Sequence, residues 1–176
     1  MNPKGNAYEI GSQKVIPAVL LYAFHGDQVL MIHRNANPQD DHLGKWNGLG
    51  GKLEWGESPL QSAVREFREE SGCDTSPTQW KWIGQLHFPN FKPHKQQDWS
   101  VTVFRCELTE EQVKQVTPKN NEGTLAWIPS SEVRKLALWP GDIHFIPYVL
   151  SHRPFQGTFW YQNGLLSDFF CHPILD

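Results

Sequence analysis

The segment GKLEWGESPLQSAVREFREESGC, Gly51 to Cys73, decides how the rest of the chain is read. Ser58 followed by Pro59 predicts a helix start, because a serine hydroxyl can cap free backbone N–H groups and proline suits the first helical position. Gln61 completes a capping box. Leu60, Ala63, Val64 and Phe67 recur at i, i+3, i+4 and i+7, which gives one apolar stripe, and Gly72 supplies the stop. On the same helix Glu66, Glu69 and Glu70 stand three and four residues apart, so their carboxylates share a second face. Three like charges at that spacing repel one another. Such a face is either an ordinary solvated charge run or a site whose repulsion a cation offsets. Magnesium, which prefers oxygen ligands and retains waters and phosphates, suits the second reading.

Outward from this helix, strand and helix signals alternate. Ile16 to Phe24 and Gln28 to His33 read as two strands around a Gly26-Asp27 turn, and Asn35 to Lys45 as a polar loop. Trp80 to Phe88 and Trp99 to Glu107 read as strands separated by a loop containing Pro89 and Pro93. Short helices are expected at Thr109 to Val116, Ser131 to Leu138 and Asp142 to Leu150. A strand is expected at Leu125 to Ile128, and a closing hairpin from Thr158 to Phe170 around Asn163-Gly164. Residues 1–12 read as a loose arm before a single domain over 13–176. The mixture implies a layered α/β or α+β domain.

Composition narrows function mainly by exclusion. A net charge of −3 over 176 residues gives no global attraction to duplex nucleic acid or an anionic membrane, so phosphate recognition has to be local. The apolar run Ile16 to Phe24 contains Pro17, lacks a small-residue cleavage site and is too short to span a bilayer. Cys73, Cys106 and Cys171 are odd in number and widely spaced, which argues against a disulfide framework or structural zinc and fits a reducing cytoplasm. His87, His94, His144 and His172 show no paired metal-binding spacing.

The segment as a whole matches G-x5-E-x7-R-E-U-x-E-E-x-G-U, with U a bulky apolar residue, through Gly51, Glu57, Arg65, Glu66, Phe67, Glu69, Glu70, Gly72 and Cys73. Seven fixed residues at ordinary frequencies coincide by chance less than about once in a million such chains. The pattern closely resembles the Nudix box. Phe67 and Cys73 stand where aliphatic residues are usual, and both keep the position apolar. The resemblance implies a Nudix fold, an α/β/α sandwich with a mixed central sheet, and a Mg2+ site, Mn2+ being a substitute. It assigns the metal to Glu66, Glu69, Glu70 and the Gly50 carbonyl, and pairs Glu57 with Arg65 to hold the loop against the helix. Glu69 or Glu70 would supply most of the rate.

Trp46 to Lys52 and Trp139-Pro140-Gly141-Asp142 are similar to segments of the MutT-type oxidised purine nucleoside triphosphatases. That similarity makes Asn47 and Asp142 base readers, Trp139 a stacking platform, Glu122 a fourth acidic ligand or base, and Leu49, Gly50, Gly51 and Lys52 part of the substrate-binding wall. Arg34 offers a planar fork to a phosphate, and Phe88 and Phe91 a lining for the base pocket; read from residue type alone, Trp139, Phe88 and Phe91 are equally core aromatics, Asn47 a turn residue, Glu122 a solvated loop acid and Arg34 a surface charge. Gly141 stands where the animal enzymes carry a second acid. The implied activity is hydrolysis of a nucleoside triphosphate such as 8-oxo-dGTP to the monophosphate and pyrophosphate. The alternatives are a Nudix hydrolase for nucleotide sugars, dinucleotide polyphosphates or RNA 5′ ends, and a non-catalytic nucleotide-binding module.

Overall fold

The computed structural model describes residues 14–175, so the expected arm over 1–12 lies outside the described residues. The elements run β1 (Lys14–His25), β2 (Gln28–His33), β3 (Trp46–Asn47), α1 (Pro59–Ser71), β4 (Lys81–Lys92), β5 (Gln97–Glu107), α2 (Glu110–Val113), β6 (Thr124–Pro129), α3 (Asp142–Leu150), β7 (Phe155–Gln162) and β8 (Leu165–Pro173). All eight strands join one sheet in the order β3-β2-β1-β5-β4-β7-β8, with β6 also paired to β2. The pairs β1–β5 and β4–β7 are parallel and the others antiparallel, so the sheet is mixed.

Alternation along the buried strands distributes the core to two faces, because successive side chains on a strand point in opposite directions. Val19, Leu21, Ala23, Leu30 and Ile32 pack under α1 with Ala63 and Phe67. Ala18, Tyr22, Phe24, Val29 and Met31 pack on the other face with Phe145, Ile146 and Val149 of α3. The result is the α/β sandwich of the Nudix fold, with α1 and α3 on opposite sides of the sheet.

What positions the site is a split between two strands. β1 and β2 pair only at their turn end, Phe24 with Val29 and His25 with Gln28. Beyond it they diverge, and residues 46–52 cross the gap. Asn47 pairs with Ile32 of β2, while the Leu21 N–H donates to the Leu49 carbonyl at 2.7 Å and the Val19 N–H to the Gly51 carbonyl at 2.8 Å. The glycine segment is thereby fastened to both strands.

Helix α1 forms as its sequence requires. Ser58 caps Gln61 N at 3.3 Å, the Gln61 carboxamide returns to Ser58 N at 2.9 Å, and Gly72 closes the helix with φ of 74°. Three expectations change. The loop expected around Pro89 is strand as far as Lys92, because Pro89, which lacks an N–H, sits in the irregular stretch between the Phe88 and Lys92 pairings. The helix expected over Ser131 to Leu138 is only a 3-10 turn at Val133–Lys135, since the backbone beyond it is drawn to the sheet, where Trp46 N donates to the Ala137 carbonyl at 3.1 Å. The helix after Thr109 ends at Val113, and the chain then ties back to α1 through Thr117 N and the Ser71 carbonyl at 2.8 Å.

Candidate active site: a carboxylate helix over a glycine segment

The buried stripe of α1 fixes which way its acids face. Phe67 is fully buried, and Glu66 and Glu70 therefore lean over the glycine segment while Glu69 turns outward, its side chain 58% exposed. Glu66 rests directly on Gly51. A Cβ at Gly51 would lie 2.5–2.7 Å from the Glu66 carboxylate, so no larger residue fits without moving that acid. Glu70 is buried and accepts a hydrogen bond of 2.7 Å from Gly50 N. Gly50 has φ of 133°, and a side chain there would run into the Val19 carbonyl, so both the bond and the backbone turn need glycine.

Arg65 organises the acids from the rim. Its guanidinium holds Glu57 with two bonds of 2.7 and 2.8 Å, Glu66 at 2.9 Å, Glu69 at 3.2 Å and the Lys52 carbonyl at 3.1 Å. One planar fork thus ties the loop, the helix and the glycine segment together. The same guanidinium draws the Glu57 carboxyl down to about 2.

Glu122 arrives from a distant loop. Asn120 sets that loop by donating to the Glu70 carbonyl at 3.0 Å and accepting from Glu122 N at 2.8 Å. The Glu122 carboxylate pairs with Arg34, whose Nε also holds Asp40 at 2.7 Å. Arg34 is thus held between two acids. Burial pushes the Glu70 carboxyl well above the ordinary carboxylate range; the Gly50 N–H opposes this and the nearby Glu122 and Glu66 charges add to it. Burial likewise raises Glu66, with Arg65 opposing. Crowded oxygen donors with mutual repulsion are the donor set a hard divalent cation satisfies. Each is now held by a protein donor, and among the described residues no three acidic, imidazole or thiol groups already converge on one point.

The glycine segment forms one wall of a cleft of about 630 Å³ that continues to an aromatic end. Gly50, Gly51, Lys52, Arg65, Glu66 and Glu122 line its acidic end, and Asn47, Phe88, Trp139, Asp142 and Tyr161 its aromatic end. Leu49 is the exception among the wall residues expected from sequence. It is 1% exposed and packs under α1, because in an extended segment it points away from the cleft, opposite to its neighbour Gly48.

At the aromatic end the Asn47 Oδ1 atom is buried without a hydrogen-bond partner. Burial lifts the Asp142 carboxyl to about 7, with Lys45 opposing. Trp139 stands edge-on to Tyr161 with ring centroids 6.0 Å apart, and Lys45 Nζ lies 5.6 Å from the Trp139 ring. The Tyr161 hydroxyl accepts a bond of 2.8 Å from Gly141 N, and a Cβ at Gly141 would fall 2.5 Å from that oxygen. The absence of an acid at position 141 therefore accompanies a hydroxyl in the space such a side chain would enter. Tyr161 and His42, which touches both Asn47 and Trp139, carry no local sequence signal and are found only by the fold.

A mixed sheet split by a glycine segment under an acidic helix is the architecture of a Nudix hydrolase. The NUDIX domain model matches residues 13–149, and the chain belongs to that family, whose members act on nucleotides. It is 34% identical to the oxidized purine nucleoside triphosphate hydrolase of Danio rerio over 120 residues, 68% of this chain and 72% of that protein. It is 27% identical to the CTP pyrophosphohydrolase of Escherichia coli over 140 residues, 80% of this chain and 95% of that protein. Its fold is similar to the MutT protein from Bacillus halodurans, with a TM-score of 0.75 and 26% identity over 89% of this chain and 97% of the other.

Proposed function

We propose that this hydrolase cleaves a purine nucleoside triphosphate, with 8-oxo-dGTP the expected oxidised substrate, to the monophosphate and pyrophosphate. The observation that carries the reading is the unpartnered Asn47 Oδ1, in a cleft that Asp142, Trp139 and the α1 residue Glu66 also line. A buried acceptor without a partner costs free energy, which a ligand N–H offsets on binding. Asn47 and Asp142 offer a purine edge hydrogen-bonding groups, and Trp139 an aromatic ring against which the base can lie. The similarity to the oxidized purine nucleoside triphosphate hydrolase supports the same assignment.

The acids Glu66, Glu70 and Glu122, with Glu69 at their edge and the Gly50 carbonyl that the Nudix pattern assigns to the metal, would hold Mg2+ or Mn2+. Such an ion supplies charge neutralisation at phosphate oxygens and a more acidic water. The protein's own groups do the positioning. Arg65 and Gly51 fix the Glu66 carboxylate, Gly50 N orients Glu70, and Lys52 lines the path toward the base. Of Glu69 and Glu70, burial against the glycine segment favours Glu70 as the residue on which most of the rate depends.

The similarity to a CTP pyrophosphohydrolase makes a pyrimidine triphosphate the second reading. A panel of 8-oxo-dGTP, dGTP, CTP, a nucleotide sugar, a dinucleotide polyphosphate and a capped RNA, assayed with Mg2+, separates these readings by product. We expect pyrophosphate release and a preference for 8-oxo-dGTP over dGTP of at least about tenfold, or roughly 1.4 kcal/mol. A preference for CTP, or products lacking pyrophosphate, overturns the purine assignment.

A further inference from the structure

His42 sits in the polar loop between β2 and β3 and is the point at which the two base-facing residues meet. Trp139 Nε1 donates to its Nδ1 at 2.8 Å, Asn47 Nδ2 approaches the same atom at 3.4 Å, and the imidazole stands edge-on to the indole with centroids 5.4 Å apart. An indole N–H can only donate, so Nδ1 has to be the acceptor and the ring has to be neutral, with its proton on Nε2. The Asn47 amide shares that lone pair through the longer 3.4 Å approach of its Nδ2. With Nδ2 turned to His42, the Oδ1 atom is the one left without a partner.

The His42 backbone, and with it the loop that carries the ring, is held from the opposite end of the cleft. His42 N donates to Asp40 Oδ1 at 3.0 Å, Asp40 Oδ2 receives Arg34 Nε at 2.7 Å, and Arg34 carries on to Glu122. A polar chain therefore runs from the acidic end to the His42 backbone and fixes the loop from which the ring reaches the indole. We propose, resting on the nucleobase reading of this pocket, that His42 is a positioning residue whose neutral ring sets Trp139 and Asn47 for the base, and that protonating the ring unlatches the base end of the cleft.

The surroundings favour the neutral form. Burial and the Arg34 and Lys92 cations lower the His42 pKa, opposed by Asp40 and Asp41, and Asp41 is itself paired with Lys92 at 3.2 Å. Lys45 over the Trp139 ring adds positive charge nearby. Asp142, raised to about 7, is a second titrating group at this end, while His42 is lowered from its ordinary value, so the KM profile should carry two steps, with that of His42 the lower.

The test compares His42→Phe, which keeps a ring without an acceptor, with His42→Gln, which offers a non-titrating carbonyl. At pH 8, with the preferred triphosphate, His42→Phe should raise KM about tenfold and change kcat less than about twofold. His42→Gln should restore most of the KM and remove the lower step of its pH profile. In the wild type, the Trp139 indole N–H resonance, assigned by its loss in Trp139→Phe, should shift as pH falls with the midpoint of that lower step. Wild-type KM in His42→Phe, a lower step that persists in His42→Gln, or an indole resonance indifferent to both His42→Phe and pH overturns the proposal. The resonance needs no turnover, so a chain inactive on every nucleotide defeats the substrate reading without deciding this one.

Discussion

The two ends of the cleft are built in opposite ways. The acidic end comes mainly from one contiguous segment, in which a single capped helix brings Glu66 and Glu70 to Gly51 and Gly50, and its Arg65 holds Glu57 of the preceding loop. Glu122, with its partner Arg34, comes from elsewhere. The aromatic end draws on three distant regions, the loop carrying His42 and Asn47, the turn carrying Trp139 to Asp142, and Tyr161 of β7. The first has little freedom to vary without losing the whole arrangement. The second is held by separate contacts that can change one partner at a time, such as the Tyr161 hydroxyl on Gly141 N.

The largest expected effect lies at the acidic end. Glu70→Gln removes a carboxylate from the set that would hold the metal and should lower kcat by at least about 10²-fold. The amide can still accept from Gly50 N, and the substitution removes one charge from a repelling cluster, so thermal stability should hold or rise. A variant that keeps near-full kcat, or that loses activity only because it unfolds, breaks the contrast between the two ends. Glu69→Gln, measured beside it, should fall less, in keeping with the outward position of Glu69.

At the aromatic end Trp139→Ala should act on KM. Base stacking on an aromatic ring is worth about 1–3 kcal/mol, so KM should rise about 5- to 150-fold with kcat much less affected. A kcat loss as large as that of Glu70→Gln would show that the two ends are not separable.

The smallest effect is on stability in acid. Arg65 holds Glu57 at about 2, below its ordinary 4.5, so the folded form releases that proton more readily than the unfolded chain does. The stabilisation is complete above the ordinary value and is lost as pH falls through about 2. Glu57→Gln should lower Tm near neutrality by a few degrees and flatten its dependence between pH 4.5 and 2. A Tm that declines in acid as steeply as the wild type's would show that the bidentate pair does not hold the loop.

The helix was legible because each of its determinants is local. Ser58, Gln61 and Gly72 cap it within one turn, and its apolar and acidic faces follow from 3.6 residues per turn. Errors fell where a tertiary partner took over the backbone, as with Trp46 at Ala137 and the irregular β4–β5 pairing after Phe88. Leu49 was misplaced because a glycine-rich run carries no apolar alternation from which to choose a face.

The sequence by itself determined the family and the acidic helix, since short-range spacing fixes which side chains share a face. The tertiary structure alone decided which side chains are free. It bound Arg34 to Asp40 and Glu122, buried Leu49, turned Glu69 outward, and placed His42 between Asn47 and Trp139. Those outcomes depend on contacts between residues as many as 97 positions apart, and no local rule encodes them.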